Sequence, residues 1–370
     1  MAESFEIRPF EECIEKIKYT TKIASQDFKE SGRFPIISQE EAFISGYWDN
    51  PEDVFHINKP VVIFGDHSRH IKYVDFDFVI GADGVKILSP VKSINAKYFY
   101  YFLKWLDIQS LGYSRHYKAL KEKSVKVFSE TCQQRIVDEL DLLSDIIRKK
   151  NAQLSDLNAL TTAYFYELFG DPVENPRGWI RKRIGDIAHV KIGPFGSLLH
   201  KSDYISGGTP LVNPVHMKDL RIVMDNDFTI SDSKKQELNN YLLKEGDIVI
   251  ARRGDIGRCA LVTAKDDGYL CGTGSMFVRP AVKIDSLFLV HLLSTKEMVR
   301  ELLHQAKGVT MLNINCDIIS NLSIIVPPIE EQNSYLTKII ALENQKQLIL
   351  SSIHATELLL NSRSEHYFAE

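Results

Sequence analysis

Between Thr131 and Leu168 a heptad seam recurs every three or four positions, with only Lys150 and Thr161 off its apolar pattern. From Ile136 the series runs Leu140, Leu143, Ile147, Lys150, Leu154, Leu157, Thr161, Tyr164 and Leu168, and neither Pro nor Gly falls inside it. Such a heptad seam predicts a single helix about 57 Å long, far longer than an ordinary globular core requires. Adding 199 to each number gives the seam a second time: Tyr335, Ile339, Leu342, Lys346, Ile349, Ile353, Thr356, Leu360, Arg363 and Tyr367. A lone heptad helix would leave its apolar stripe in water, so each helix needs a partner, and the nearest is its twin. The expected pairing residues are Ile136, Leu140, Leu143, Ile147, Leu154 and Leu157 on the first helix. On the second they are Ile339, Leu342, Ile349, Ile353 and Leu360. Lys150 and Lys346, inside the seams, would fix register at some cost in stability.

Each seam follows a region of mixed, short-range patterning, so the chain reads as a tandem repeat with pseudo-twofold symmetry. The predicted fold class is α+β: two tandem globular domains joined and separated by two long antiparallel coiled-coil helices. The expected boundaries are 1–128 for the first domain, 129–170 for the central helix, 171–325 for the second domain and 326–370 for the distal helix. The length of 370 residues, with 44% apolar and 10% aromatic side chains, supports two ordinary cores plus extra helix. The opening MAESFEIRPF lacks a basic region followed by an apolar run, and no stretch approaches 18 apolar residues. The expectation is a cytoplasmic protein with no membrane span. Five scattered cysteines without a C-x-x-C read as reduced thiols, not as a disulfide frame or a zinc site.

A net charge of −4 argues only weakly against a polyanionic partner, because the charge is unevenly placed. Glu40 to Asp53 holds five acids and no Lys or Arg, Arg115 to Lys126 holds five bases against Glu122, and Arg177 to Lys201 holds six bases against Asp186. Basic patches on an acidic body can still grip phosphate, since the contact is local and screened over about 10 Å.

In chain order, Phe5 to Ile23 reads as a short amphipathic entry. FPIIS (Phe34 to Ser38) and PVVIFGD (Pro60 to Asp66) read as buried strands, and DFDFVIGADGVKIL (Asp75 to Leu88) as a hairpin turning at Asp83-Gly84. YFYYFLKWL (Tyr98 to Leu106) reads as a packed helix, followed by the basic loop GYSRHYKALKEK. The second half repeats this grammar: TPLVNP, then GDIVIARRG against PVVIFGDHS, GYLCGTGSMFVRP (another predicted hairpin) against DFVIGADGVKILSP, and SLFLVHLL against the aromatic helix. AKGVTMLNIN stands where the basic loop stood, and IIVPPIEEQ leads into the second long helix, with Pro327-Pro328 suited to its first turn.

These segments resemble the specificity subunits of type I restriction–modification systems (the HsdS family). The resemblance rests on GPFGSLLHKSDY (Gly193 to Tyr204), PLVNPVHM, LKEGDIVIARRGDIGRCALV, GYLCGTGSMFVRP, GVTMLNIN, VPPIEEQ and FYELFGDP, and it covers essentially the full length. The second half carries the motifs most fully; in the first, GDHSRH stands in place of ARRGDIG and SRHYKAL in place of the GVTMLNIN loop. The resemblance implies two target-recognition domains, each reading one half of a split site in double-stranded DNA. It also implies that the paired helices set the gap and dock two methyltransferase subunits, and that a motor-nuclease subunit joins for restriction. S-adenosylmethionine, ATP and Mg would then belong to those partners, with no cofactor in this chain.

The residues themselves carry no catalytic signature. An N-P-P-[FY]-like adenine pocket and a G-x-G-x-x-G loop are missing, since GTGSMF supplies two glycines inside a predicted hairpin. No phosphate-binding G-x-x-x-x-G-K-[ST] occurs, and no His/Cys/Asp cluster has metal spacing. His67 and His70 beside Asp66 read as a polar loop after a strand. The chain therefore reads as a non-catalytic DNA-recognition subunit. The DNA-contact candidates in the second domain are Ser197, His200, Lys201, Arg252, Arg253, Lys307, Thr310, Asn313 and Asn315; in the first they are Arg69, His70, Arg115, His116, Tyr117 and Lys118. Arg reads guanine edges and grips phosphate, and glycine-rich backbone supplies donor amides. The competing expectation for Arg252 and Arg253 is an ion pair with Asp247 or Asp255. At the level of function the alternatives are a coiled-coil scaffold whose globular ends bind proteins, an enzyme acting on a small molecule, and a methylation-only system.

Overall fold

The computed structural model describes residues 4–109, 115–224, 228–281, 284–306, 308 and 312–369. By contact, the chain divides into two compact units: Met1–Gln153 with Ile349–Glu370, and Leu154–Leu348. The two long helices are Glu130–Phe169 and Ile329–Phe368, forty residues each, so both contribute to both units. Every seam position on both is buried or half-buried, while off-seam leucines such as Leu142, Leu348 and Leu358 are exposed. A period of 3.5 residues therefore picks out the covered face of each helix.

Helix contacts within each unit run in an antiparallel sense. In the first unit Glu139 accepts from Arg363 and from the Tyr367 hydroxyl, and Lys150 donates to the Ser352 hydroxyl. The seam lysine thus keeps its polar end satisfied inside the stripe. In the second unit Tyr335 stacks on Tyr164 with centroids 5.8 Å apart, and further along Lys346 sits beside Glu343, with Thr161, Asn158 and both of those residues lining one cleft.

The globular part of each unit is the same construction made twice. In the first, an antiparallel sheet has the order Ile14–Glu15, Val85–Pro90, Val61–Gly65, Ile71–Val74. In the second, the order is Ala188–Ile192, Ser275–Pro280, Ile248–Ala251, Cys259–Leu261. Each unit adds a second sheet held by a short parallel pair, Phe34–Ile37 with Phe78–Gly81 and Thr209–Val212 with Leu270–Cys271. Each also adds a two-stranded ribbon leading to its long helix: Phe5–Pro9 with Ser124–Phe128, and Arg181–Arg183 with Ser323–Ile325. The packed helices are Ala96–Trp105 and Ser286–Leu293.

The spacing of 199 residues holds down to single atoms. Gln133 and Gln332 are both buried; Nε2 of the first donates to Phe128 O at 2.8 Å and Nε2 of the second to Pro327 O at 2.8 Å. Their Oε1 atoms accept from Asn95 N–H and Asp285 N–H, the caps of the two packed helices, at 2.8 and 2.9 Å. A buried amide that meets donor and acceptor together ties the root of each long helix to its own domain.

Three sequence expectations are corrected here. Neither predicted hairpin forms: Phe78–Gly81 and Val85–Pro90 lie in different sheets, as do Leu270–Cys271 and Ser275–Pro280. The glycines Gly84 (φ +81°) and Gly272–Gly274 turn corners between sheets, because the strand after each turn pairs with a central strand formed earlier in the chain. Likewise the entry is a strand, Phe5–Pro9, followed by a short 3-10 turn at Phe10–Cys13 that buries Phe10 and Cys13. Part of the basic loop, Tyr117–Lys121, is helical.

His291 gives the second unit a pH dependence. Its ring is 7% exposed and its Nδ1 lies 3.0 Å from the Tyr335 hydroxyl; burial pulls its pKa from 6.5 down to about 4. Between those values the unfolded chain binds the proton and the folded one does not, so stability falls as pH drops. The expected loss is about 3 kcal/mol over that interval. Unfolding midpoints of wild type and His291→Asn from pH 7 to pH 4 should converge as the acid is approached. A constant difference across that range would contradict the assignment.

Candidate nucleic-acid interface

The polar candidates of the second unit gather where central strands end. Strand Ile248–Ala251 runs into Arg252, whose N–H donates to Gly274 O at 3.0 Å and whose carbonyl accepts from Ile314 N–H at 2.9 Å. Two backbone bonds thereby gather the 252–258, 272–275 and 312–315 segments around one residue. The Arg252 side chain is 9% exposed and its Nε donates to Asn313 Oδ1 at 3.2 Å. Arg253 is exposed, pairs with Asn313 in an isolated antiparallel bridge, and precedes Gly254 at φ +74°, where a side chain would be strained.

Neither arginine forms an ion pair among the described residues. Asp247 belongs to Arg279, through two bonds of 2.7 Å, and Asp255 belongs to Arg258. The expected alternative of a pair with Asp247 or Asp255 is thus ruled out by competition. Burial, and then the neighbouring Arg253, lower the Arg252 pKa from its ordinary value. A buried guanidinium that donates to a neutral amide oxygen is a place where an incoming anion or base acceptor would be bound strongly.

The GPFGS loop lies against the same edge. Gly193 N–H donates to Ser275 O at 3.1 Å, and a Cβ at Gly193 would fall 2.0 Å from Gly272 O. A Cβ at Gly272 would in turn fall 2.2 Å from the side-chain Oδ1 of Asn213 and 2.7 Å from Val212 O, so the loops meet too closely for a side chain at either glycine. Ser197, His200 and Lys201 are all exposed beyond this contact. Asn315 is engaged otherwise: its Oδ1 caps the helix Cys316–Asn321, accepting from Ile318 N–H at 2.9 Å, so only its amide group is left to face outward. Lys307 and Thr310 lie outside the described residues.

In the first unit Asp66 occupies the place of Arg252. Its N–H donates to Gly84 O at 2.7 Å and its carbonyl accepts from His116 N–H at 2.8 Å, the same pair of bonds. Its buried carboxylate accepts from Tyr117 N–H at 2.8 Å, with Lys86 Nζ 3.8 Å away. Sequence reading passed over Asp66 as part of a polar loop; its position directly after a buried strand was the available signal. His70, Arg115 and Lys118 are exposed around it. Arg69, at φ +65°, is half-buried and its Nη1 donates to Ile108 O at 2.8 Å.

His116 and Tyr117 do not present themselves as expected. His116 is fully buried with Nδ1 3.0 Å from Asp66 O. Tyr117 is half-buried, its ring 6.4 Å from Phe10 and 6.5 Å from Phe64, with Lys86 and Lys121 over it. His116 was expected at the surface because bases surround it, and for Tyr117 a place in the core was the alternative; both close the core behind the turn. Among the described residues no group of His, Cys, Asp and Glu is arranged to hold a metal ion, and no helix is long and apolar enough to cross a membrane.

Residues 176–353 match the model of the type I restriction modification DNA specificity domain. The chain is 24% identical over 212 residues to the EcoR124I/EcoR124II specificity subunit of Escherichia coli, a match covering 55% of this chain and 50% of that one. It therefore spans about half the length of that relative. It is 22% identical over 376 residues to the MjaVIII specificity subunit of Methanocaldococcus jannaschii, covering 92% of this chain and 87% of the other. The crystal structure of the type I system S subunit from M. genitalium aligns over 100% of this chain and 97% of that one, at 14% identity and a TM-score of 0.60, which shows a shared fold. Residues 176–353 thus carry the type I restriction modification DNA specificity domain, and over its full length the chain shares the fold of a type I S subunit.

Proposed function

We propose that each globular domain reads one half of a split site in double-stranded DNA, and that the two long helices form an antiparallel coiled coil that sets the gap between halves. The observation that carries this reading is the repeated strand-end cluster. Around Arg252 and around Asp66 the same two backbone bonds gather the same loops, while the side chains displayed differ in charge. A shared scaffold with divergent displayed residues suits two readers of unlike sequence. The helices would also dock two methyltransferase subunits, with a motor-nuclease subunit completing a restriction complex. Methyl transfer and cleavage, with S-adenosylmethionine, ATP and Mg, would reside in those partners, leaving this chain non-catalytic.

The arginines give the reading a residue-level consequence. Arg253→Ala should weaken binding of one half-site by about 1–3 kcal/mol if its head group reads a base. If it grips phosphate, the salt dependence of binding should instead fall by about one unit of slope, with sequence preference kept. Titration of duplexes across a salt series distinguishes the two, and an unchanged slope and affinity would remove Arg253 from the interface.

The function is tested by expressing the chain with its methyltransferase subunit and mapping adenine methylation in host DNA by single-molecule sequencing. A new split motif, with methylated adenines in both halves and a fixed gap, is the expected result. A complex that assembles but leaves methylation unchanged would favour a scaffold whose globular ends bind proteins.

A further inference from the structure

The GPFGS loop carries a feature that phosphate or hydrogen-bond contact leaves unexplained. Phe195 is 60% exposed and Leu198 is 36% exposed, at the tip of a turn closed by Leu198 N–H to Phe195 O at 2.9 Å. The turn is held at both ends. On one side Gly193 is locked against Gly272, and on the other Leu199, 5% exposed, is inserted in the core with Leu211, Ile230, Leu238 and Leu270. Pro194 and Gly196 flank the ring, and nothing lies within 4 Å of the place where a Gly196 Cβ would stand. Folding has therefore buried the loop's inner leucine and left a phenylalanine and a leucine in water on a stiff mount.

A large apolar tip of this kind costs free energy in the unbound protein, in proportion to the apolar area kept wet. Its surroundings indicate what covers it. His200 and Lys201 follow on the same loop and are exposed. The nearest acid in sequence, Asp203, is occupied: its Oδ2 accepts from His200 N–H at 2.7 Å and lies 3.8 Å from Lys234 Nζ. An apolar tip beside the exposed Lys201, with the nearest acid already held by Lys234, matches a polyanion that has flat apolar faces inside, which describes stacked bases behind phosphates.

We propose that Phe195, backed by Leu198, is a wedge that enters a base step of the half-site read by the second domain and partly unstacks it. This inference rests on the DNA-reading function proposed above and assigns the aromatic contact within it. Selectivity would then come partly from the stiffness of the step being opened, since pyrimidine–purine steps unstack more readily than others. That adds sequence preference at a position no polar side chain need touch.

The test uses the full chain assembled with its methyltransferase subunits and duplexes bearing the motif found by methylation mapping. 2-Aminopurine is placed in turn at each position of that half-site except the methylated adenine. Wild type should raise the fluorescence severalfold at one step, and Phe195→Ala should abolish the rise and weaken binding roughly tenfold, as loss of one base stack does. Phe195→Trp should keep both. Melting of the Phe195→Ala protein should stay close to wild type, because Phe195 is 60% exposed and belongs to no core cluster among the described residues. Motif-specific binding with no fluorescent step, or a step unaffected by Phe195→Ala, would overturn the wedge and leave the recognition function standing. Failure of the wild-type complex to prefer its motif would overturn both.

Discussion

Replacing Phe368 by Ala should destabilise the first unit by about 3–5 kcal/mol, the range for emptying a buried aromatic site. The residue sits in the last turn of the distal helix, more than two hundred residues beyond the domain it supports, yet it is only 3% exposed. Its ring lies 5.4 Å from Tyr98, 5.9 Å from Phe102 and 5.9 Å from Trp105, so it completes the aromatic cluster of the helix Ala96–Trp105. Neighbouring bonds hold it there: Trp105 Nε1 donates to Glu365 at 2.7 Å, and Arg363 with Tyr367 clasp Glu139. Denaturant unfolding and hydrogen exchange of residues 96–105 measure the effect. Leu350→Ala, a change at a side chain 46% exposed on the same helix, is the control and should cost little. If protection of 96–105 survived Phe368→Ala, the distal helix could not be structural to this unit.

Asp247→Ala should cost the second unit about 3 kcal/mol. The carboxylate is 1% exposed and takes two bonds of 2.7 Å from Arg279, besides one of 2.8 Å from Lys244 N–H. Removing one member of a buried pair strands the other, which costs about 3–5 kcal/mol in general. The low end applies because Arg279 keeps 31% of its side chain in water and also donates to Leu242 O. Asp247 immediately precedes the strand Ile248–Ala251 that runs into Arg252, so under the proposed function loosening it should also reduce affinity for the motif. Equal melting of Asp247→Ala and wild type would show that the pair contributes nothing net. Asp247→Asn, which keeps the shape and part of the bonding, should fall between.

How far the sequence itself reached can be judged at particular residues. The heptad seams were legible because a helix long enough to show its period repeatedly cannot hide which face is covered; each seam position is buried or half-buried in the structure. The spacing of 199 was legible as well, and Gln133 and Gln332 extend it to matched hydrogen bonds. Those glutamines escaped notice as sequence because one buried amide has no periodic signature.

The polar candidates show where reading stops. Arg252 and Arg253 were singled out mainly by the family resemblance of their strand-to-glycine turn and Asn313 by its polar loop, and the structure gathers them at one edge. His116 and Tyr117 looked alike in sequence, yet they are turned inward by bonds to Asp66, fifty residues earlier. The expected hairpins failed for a similar reason. Asp83-Gly84 carries the local chemistry of a tight turn, but the strand that pairs with Val85–Pro90 is Val61–Gly65, and that choice lies in non-local hydrogen bonds. Periodicity, caps and turn residues are properties of neighbours in sequence, so the chain alone determined its helices, its duplication and its covered faces. Which side of a loop faces solvent, which acid takes which arginine and which strand closes which sheet depend on partners brought from far along the chain, and only the tertiary structure decided them.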